Sequence, residues 1–170
     1  MSLRIPAKAI FFTLLIPGTV TVIVPWLLLG KTDLGNVVGF GSLQIAACIL
    51  ALLGAAVLLH CIWGFAAYGK GTLAPISPPE VLVVRGLYRY TRNPMYLGVV
   101  AILIAEVMYF QSPELFLYSA VVALCFHLFV IFYEEPRLRK QYGQEYVQYC
   151  QVVPRWWIAG RTFRADHGAV

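Results

Sequence analysis

Two short stretches of this chain carry side chains whose types and spacing could do chemistry. The first is Arg92-Asn93-Pro94-Met95-Tyr96. Pro94 suits the first turn of a helix, where its missing N–H costs nothing, and Asn93 before it stands at the N-cap, where its side chain could satisfy an orphan backbone donor. A helix N-terminus carries partial positive charge, so Arg92 and the first turn together could receive a ligand carboxylate. Tyr96 adds a phenol there, and Gly98 leaves room for close approach. The second stretch holds Glu134 and Glu135, preceded by His127 two helical turns earlier and therefore on the same face as Glu134. An ionisable group inside an apolar span is costly, so His127 is a functional suspect by default.

The elements that must position these groups are apolar. Of the 170 residues 60% are hydrophobic and 12% charged, a balance that a water-soluble core cannot accommodate. Apolar windows run over Ala9–Leu29, Val37–Gly69, Met95–Phe110 and Leu115–Tyr133, with Glu106 the one charged residue among them, and about 20 apolar residues cross a bilayer as a helix. The reading is an all-α integral membrane protein of about four transmembrane helices. The second window is longer than a crossing needs, so it must tilt, bend or emerge into the headgroups. Pro113 marks the start of the fourth helix after a short turn. The first window is too long for a signal-peptide core and lacks a small-residue cleavage site, so it is read as a permanent span.

With four crossings, every lysine and arginine except Lys31 falls on one side of the membrane. The positive-inside rule then places both termini and the functional loop in the cytoplasm. The formal charge of +5 reads as orientation and attraction to anionic lipid rather than as nucleic-acid binding. Cys48, Cys61, Cys125 and Cys150 have no paired spacing, so neither a metal site nor a disulfide framework is expected. Residues 1–69 form an N-terminal two-span region, 70–159 the core that carries the chemistry, and 160–170 a mobile tail.

Within that core, Pro75, Pro78 and Pro79 prevent a continuous helix, and Val81–Val84 follows as a short extended segment closed by a glycine turn at Gly86. Its backbone could grip a nucleoside or an amino-acid group, or it could pack on the bilayer surface. His60 reads as a helix-packing residue and Glu106 as structural. After Pro136, Leu138, Tyr142, Tyr146 and Tyr149 recur at helical spacing, which predicts an amphipathic helix lying on the membrane. Gly143 within it offers a kink or a close contact.

The order Gly86-x-Tyr88, Arg92-Asn93-Pro94-x-Tyr96-x-Gly98, apolar hairpin, Glu134-Glu135, Tyr142-Gly143-x-x-Tyr146-x-x-Tyr149 and Val153-Pro154-Arg155 resembles the isoprenylcysteine carboxyl methyltransferase family and its relatives, the phospholipid methyltransferases. The likeness covers roughly the C-terminal half. It implies S-adenosylmethionine as cofactor and a lipid-like or prenylated substrate arriving from the bilayer. Carried over by position, the cofactor contacts fall on Glu80, Val81, Leu82, Val83, Tyr88, Asn93, Pro94, Met95, Tyr96 and Glu134. Arg92 is the candidate for the substrate, with His127 and Glu135 as candidate catalytic groups. In the carboxyl methyltransferases a substrate-side arginine precedes the glutamates by about one turn, and Val130 stands there in this chain. Carboxyl methylation of a prenylcysteine-type amphiphile is the first expectation and phospholipid N-methylation the second. A nicotinamide-dependent reductase of the membrane sterol type and a non-enzymatic adaptor are the remaining alternatives.

Overall fold

The computed structural model describes residues 17–30, 41–68, 82 and 84–160. Of the expected cofactor contacts, Glu80, Val81 and Val83 lie outside the described residues, as do the first part of the first window and the tail beyond Gly160. The described residues form helices without any strand. Helix α1 covers Thr19–Leu29 and opens with a π turn over Thr19–Ile23. Helix α2 is Ser42–Tyr68, and a 3-10 turn at Gly86–Arg89 leads to α3, Pro94–Phe110. Helix α4, Pro113–Phe129, continues through a second π turn, Val130–Glu134, into α5, Glu135–Val152.

Each boundary has a local cause. Pro113 begins α4 behind Ser112, whose Oγ accepts from the Leu115 N–H at 3.3 Å. Pro136 would clash with the carbonyl four residues earlier in a regular helix, and the π turn just ahead of it takes up the misfit without ending the helix. Gly143 adopts φ 55°, ψ −129°, a conformation that glycine alone enters cheaply, and it kinks α5 there.

Helices α2 and α3 form the closest pair. On α2 the buried residues Gln44, Ala47, Gly54, Leu58 and Cys61, with half-buried Ala51 between Ala47 and Gly54, recur every three or four positions, making one seam. At its middle the two backbones touch: a Cβ on Gly54 would sit 2.8 Å from the Gly98 carbonyl oxygen, and one on Gly98 would sit 2.9 Å from the Gly54 carbonyl oxygen. Between lipid-facing helices, where burial from water gives no drive, such small-residue contact is what lets van der Waals packing hold the pair. Gly98 therefore gives its space to α2 rather than to a ligand. Leu58, Val99 and Leu103 form the adjoining core, against which Val20 of α1 and Tyr118, Val122 and Phe126 of α4 pack. Tyr118 donates to the Val20 carbonyl in the π turn of α1 at 2.9 Å.

The outer surface is strongly apolar, with Trp26, Leu52, Trp63, Phe116, Leu117 and Phe132 all exposed. Such surface marks contact with lipid. Among the described residues two helices are long and apolar enough to cross a bilayer: α2 over Ser42–Gly64, and the continuous helix Pro113–Val152. The described part of α1 and the 17 residues of α3 are shorter, so the expected count of four crossings narrows to two helices that meet the length. The C-terminal helix also departs from expectation. Its tyrosine face does not look outward to lipid, because Tyr146 and Tyr149 are 2% and 4% exposed and pack with Val153, Leu82 and Val84. The apolar side of that amphipathic pattern is covered by the chain's own 82–84 segment.

Candidate active site

The start of α3 and the end of the α4 crossing meet. Tyr96 donates its phenolic hydrogen to Glu134 Oε2 at 3.0 Å, and its ring lies 4.8 Å from that of Phe126 on α4. Tyr88, on the 3-10 turn, joins this cluster from a third direction. Its phenol lies near the Cys61 thiol of α2, and its pKa is pushed well above the ordinary tyrosine range, first by burial and then by the nearby Cys61, Glu134, Tyr149 and Tyr96. Tyr149 Oη donates to the Tyr88 carbonyl at 2.6 Å, fixing the turn on α5.

Beside this cluster lies an ion-pair cage. Arg155 Nε and Nη2 donate to the two oxygens of Glu135 at 2.6 and 2.9 Å, and Arg92 Nη1 stands 3.0 Å from Glu135 Oε1. The Glu135 side chain is 7% exposed and that of Arg92 12%. Burial alone would raise the Glu135 carboxyl, but the Arg155 hydrogen bond and the charges of Arg92, Arg155 and Arg139 outweigh it and hold the group below the usual range. The same contact, led by its hydrogen bond, raises the Arg155 guanidinium. Arg92 also donates to Cys150 Sγ at 2.8 Å. Arg92, expected to face substrate, is thus turned inward, and Glu135 has both oxygens engaged.

The segment 153–160 runs back along residues 90–93 and locks them. The Arg92 N–H donates to the Pro154 carbonyl at 3.0 Å and the Ala159 N–H to the Tyr90 carbonyl at 2.7 Å. Asn93 occupies the N-cap position of α3, but its side chain makes no cap bond; its Nδ2 donates instead to the Arg155 carbonyl at 3.2 Å. Pro94 is buried at the first turn and Met95 packs against the α2–α3 core. Leu82 lies against the tyrosines of α5.

His127 does not join Glu134. Its Nδ1 accepts from the Trp156 indole N–H at 3.0 Å, with the rings 5.9 Å apart, so the lone pair that a general base would use is already engaged. His60, read from sequence as a packing residue, lies instead against the turn that carries Tyr88. Its Nε2 is 2.9 Å from where a Cβ on Gly86 would be, and Gly86 has φ +56°. The signal for that contact was the glycine of Gly86-x-Tyr88, since only a residue without a side chain leaves room for the ring. An open cleft of about 510 Å³ at the end of α5, lined by Cys150, Val152, Pro154, Trp157 and Ile158, includes none of the Tyr88–Tyr96–Glu134 cluster. Among the described residues no group of His, Cys, Asp or Glu side chains could hold a metal ion.

An all-helical bundle with an apolar exterior and a carboxylate–phenol cluster at one helix entrance defines a membrane protein with a polar site beside lipid. The family model for phospholipid methyltransferases matches residues 42–145, more than half of the chain, and the chain belongs to that family. No curated protein and no solved structure matches it. Family membership makes it a membrane methyltransferase acting on a lipid-like substrate.

Proposed function

We propose that the protein transfers a methyl group from S-adenosylmethionine to the amine of a phospholipid headgroup at the cytoplasmic leaflet. The observation that carries this reading is the Tyr96–Glu134 hydrogen bond, which joins the entrance of α3 to the end of the α4 crossing within the matched family region. The residues present suit the cofactor. Glu134 is a half-buried carboxylate where α3 meets the end of the α4 crossing, and a carboxylate there could take an ammonium or a ribose hydroxyl. Tyr96 orients that carboxylate, and Tyr88 with the backbone of residues 84–88 would border the remainder.

S-adenosylmethionine, when bound, supplies a methyl group already activated on a sulfonium. What remains for this chain is in-line placement of the nucleophile and removal of a proton from an amine that arrives charged. Carboxyl methylation of a prenylcysteine-type amphiphile, the first expectation from motif order, ranks second for two reasons. Val130, buried in the π turn, stands where those enzymes carry a substrate arginine, and Arg92 is committed to Glu135. The family assignment likewise supports methyl transfer over nicotinamide-dependent reduction.

The test is direct. The purified full chain in lipid nanodiscs is incubated with isotopically labelled S-adenosylmethionine and either phosphatidylethanolamine or a farnesylated cysteine, and lipids are read by mass spectrometry. Label on the amine supports the proposal; label only on the carboxylate promotes the second reading. Nicotinamide binding without any labelled product would end both.

A further inference from the structure

Transfer to an amine needs a proton acceptor, and the groups expected for that task are engaged elsewhere. Glu135 is clasped by Arg92 and Arg155, His127 Nδ1 holds the Trp156 indole, and Glu134 is tied to Tyr96. His60 differs from all of them. It is exposed near the end of α2, and none of the described hydrogen bonds uses its ring. Its neighbour Cys61 is buried near Tyr88, so the backbone at His60 runs beside the turn that carries Tyr88. Gly86 admits the ring edge against the turn, with Nε2 2.9 Å, Cδ2 3.8 Å and Cε1 4.0 Å from the position a Cβ would take. On α2 the flanking Leu59 and Trp63 are 60% and 73% exposed. A headgroup sliding in from lipid beside them would meet the imidazole next to the turn that carries Tyr88.

We propose that His60 is the catalytic proton acceptor for a phospholipid amine entering between α2 and the Gly86–Arg89 turn. The inference rests on the amine-acceptor reading above. In the step, an N–H bond of the headgroup ammonium breaks, its electron pair stays on nitrogen, and the proton moves to the imidazole. The freed lone pair forms the new N–C bond to the donor methyl while the C–S bond breaks, its pair passing to sulfur, which departs as a neutral thioether. The exposed imidazolium returns its proton to water. The titratable groups next to His60 in the chain and on the turn it touches are Cys61 of its own helix and Arg85, Tyr88 and Arg89 of the turn segment; Tyr88 in turn stands near Tyr96 and Glu134.

The experiment compares wild type with His60→Gln as full chains in nanodiscs, measuring methyl transfer to phosphatidylethanolamine from neutral to alkaline pH, with S-adenosylmethionine affinity by calorimetry and thermal melting alongside. The expected result is a kcat lowered about 100-fold at neutral pH, the scale of a positioned base. That deficit shrinks as rising pH deprotonates the headgroup unaided, while affinity and melting stay as in wild type. A variant equal to wild type at every pH overturns the proposal and leaves the amine reading standing. An equal loss at every pH with weakened cofactor binding also overturns it, since that is the mark of a positioning role. Wild type that methylates only a carboxylate removes the amine reading itself, and His60→Gln then has no effect because no proton needs removing.

Discussion

The Tyr96 phenol and the Glu134 carboxylate, 38 residues apart in sequence, are 3.0 Å apart in space. One opens α3 and the other closes the apolar run of α4, so a single hydrogen bond reports whether the two halves of the site are assembled. Replacing Tyr96 by Phe removes the donor and should cost about 1 kcal/mol of stability, the usual net worth of such a bond. Glu134→Gln keeps an acceptor but removes the charge, so S-adenosylmethionine binding should weaken about 10- to 100-fold, the scale of a hydrogen bond to a charged group. Calorimetric titration checks this, and an unchanged affinity would take Glu134 out of the cofactor site.

Glu135 gives a pH-dependent prediction. Its folded pKa lies below the ordinary carboxylate value because Arg155 and Arg92 favour the charged form. Its stabilisation is therefore complete above the unfolded value of about 4.3 and is lost as pH falls through the folded pKa. Glu135→Gln should be less stable than wild type by about 2 kcal/mol at neutral pH, and the gap should close in acid. Melting curves across pH that stay parallel would show that the cage contributes no charge-dependent stability.

The Gly54–Gly98 crossing predicts a steric asymmetry among glycines. Ala at either position meets backbone at under 3 Å, so helices α2 and α3 must part, with a cost of about 1–3 kcal/mol for overpacking. Gly64 on the same helix has nothing within 4 Å of its Cβ position, and Gly64→Ala should be neutral or stabilising because alanine is the better helix former. Melting of the three purified variants decides it. Equal behaviour at Gly54 and Gly64 would mean that the two helices do not touch there.

Much of this was legible in the residues. Pro94 and Pro113 mark helix starts because a missing N–H is tolerated only there, and both are where the sequence placed them. The meeting of Tyr96 with Glu134 followed from motif order. The departures share a cause: side-chain partners that are distant in sequence. Asn93 looks like a cap, but the 153–160 segment lies beside it and the Arg155 carbonyl takes its amide. Arg92 looks free for a ligand until Glu135 is folded next to it. The tyrosines of α5 have the period of a lipid-facing helix, and period alone does not say whether lipid or the chain's own Leu82 and Val84 will cover them. Pro136 reads as a helix break, but the π turn ahead of it lets one helix run on.

Trp156 and His127 provide the complement to the His60 experiment. The indole N–H donates to His127 Nδ1 at 3.0 Å, so the ring must carry its own proton on Nε2 when neutral, and it can then only donate to a further partner. A histidine so held fastens the 153–160 segment to α4. Trp156→Phe keeps an aromatic ring and removes the donor, which should lower stability by about 1 kcal/mol. It should leave the pH dependence of methyl transfer in place, because no proton of the reaction passes through this pair. Were His127 the proton acceptor instead, freeing its Nδ1 would raise transfer at neutral pH and move the pH–rate profile. Rates and melting measured on one preparation of Trp156→Phe therefore separate a fastening from a base.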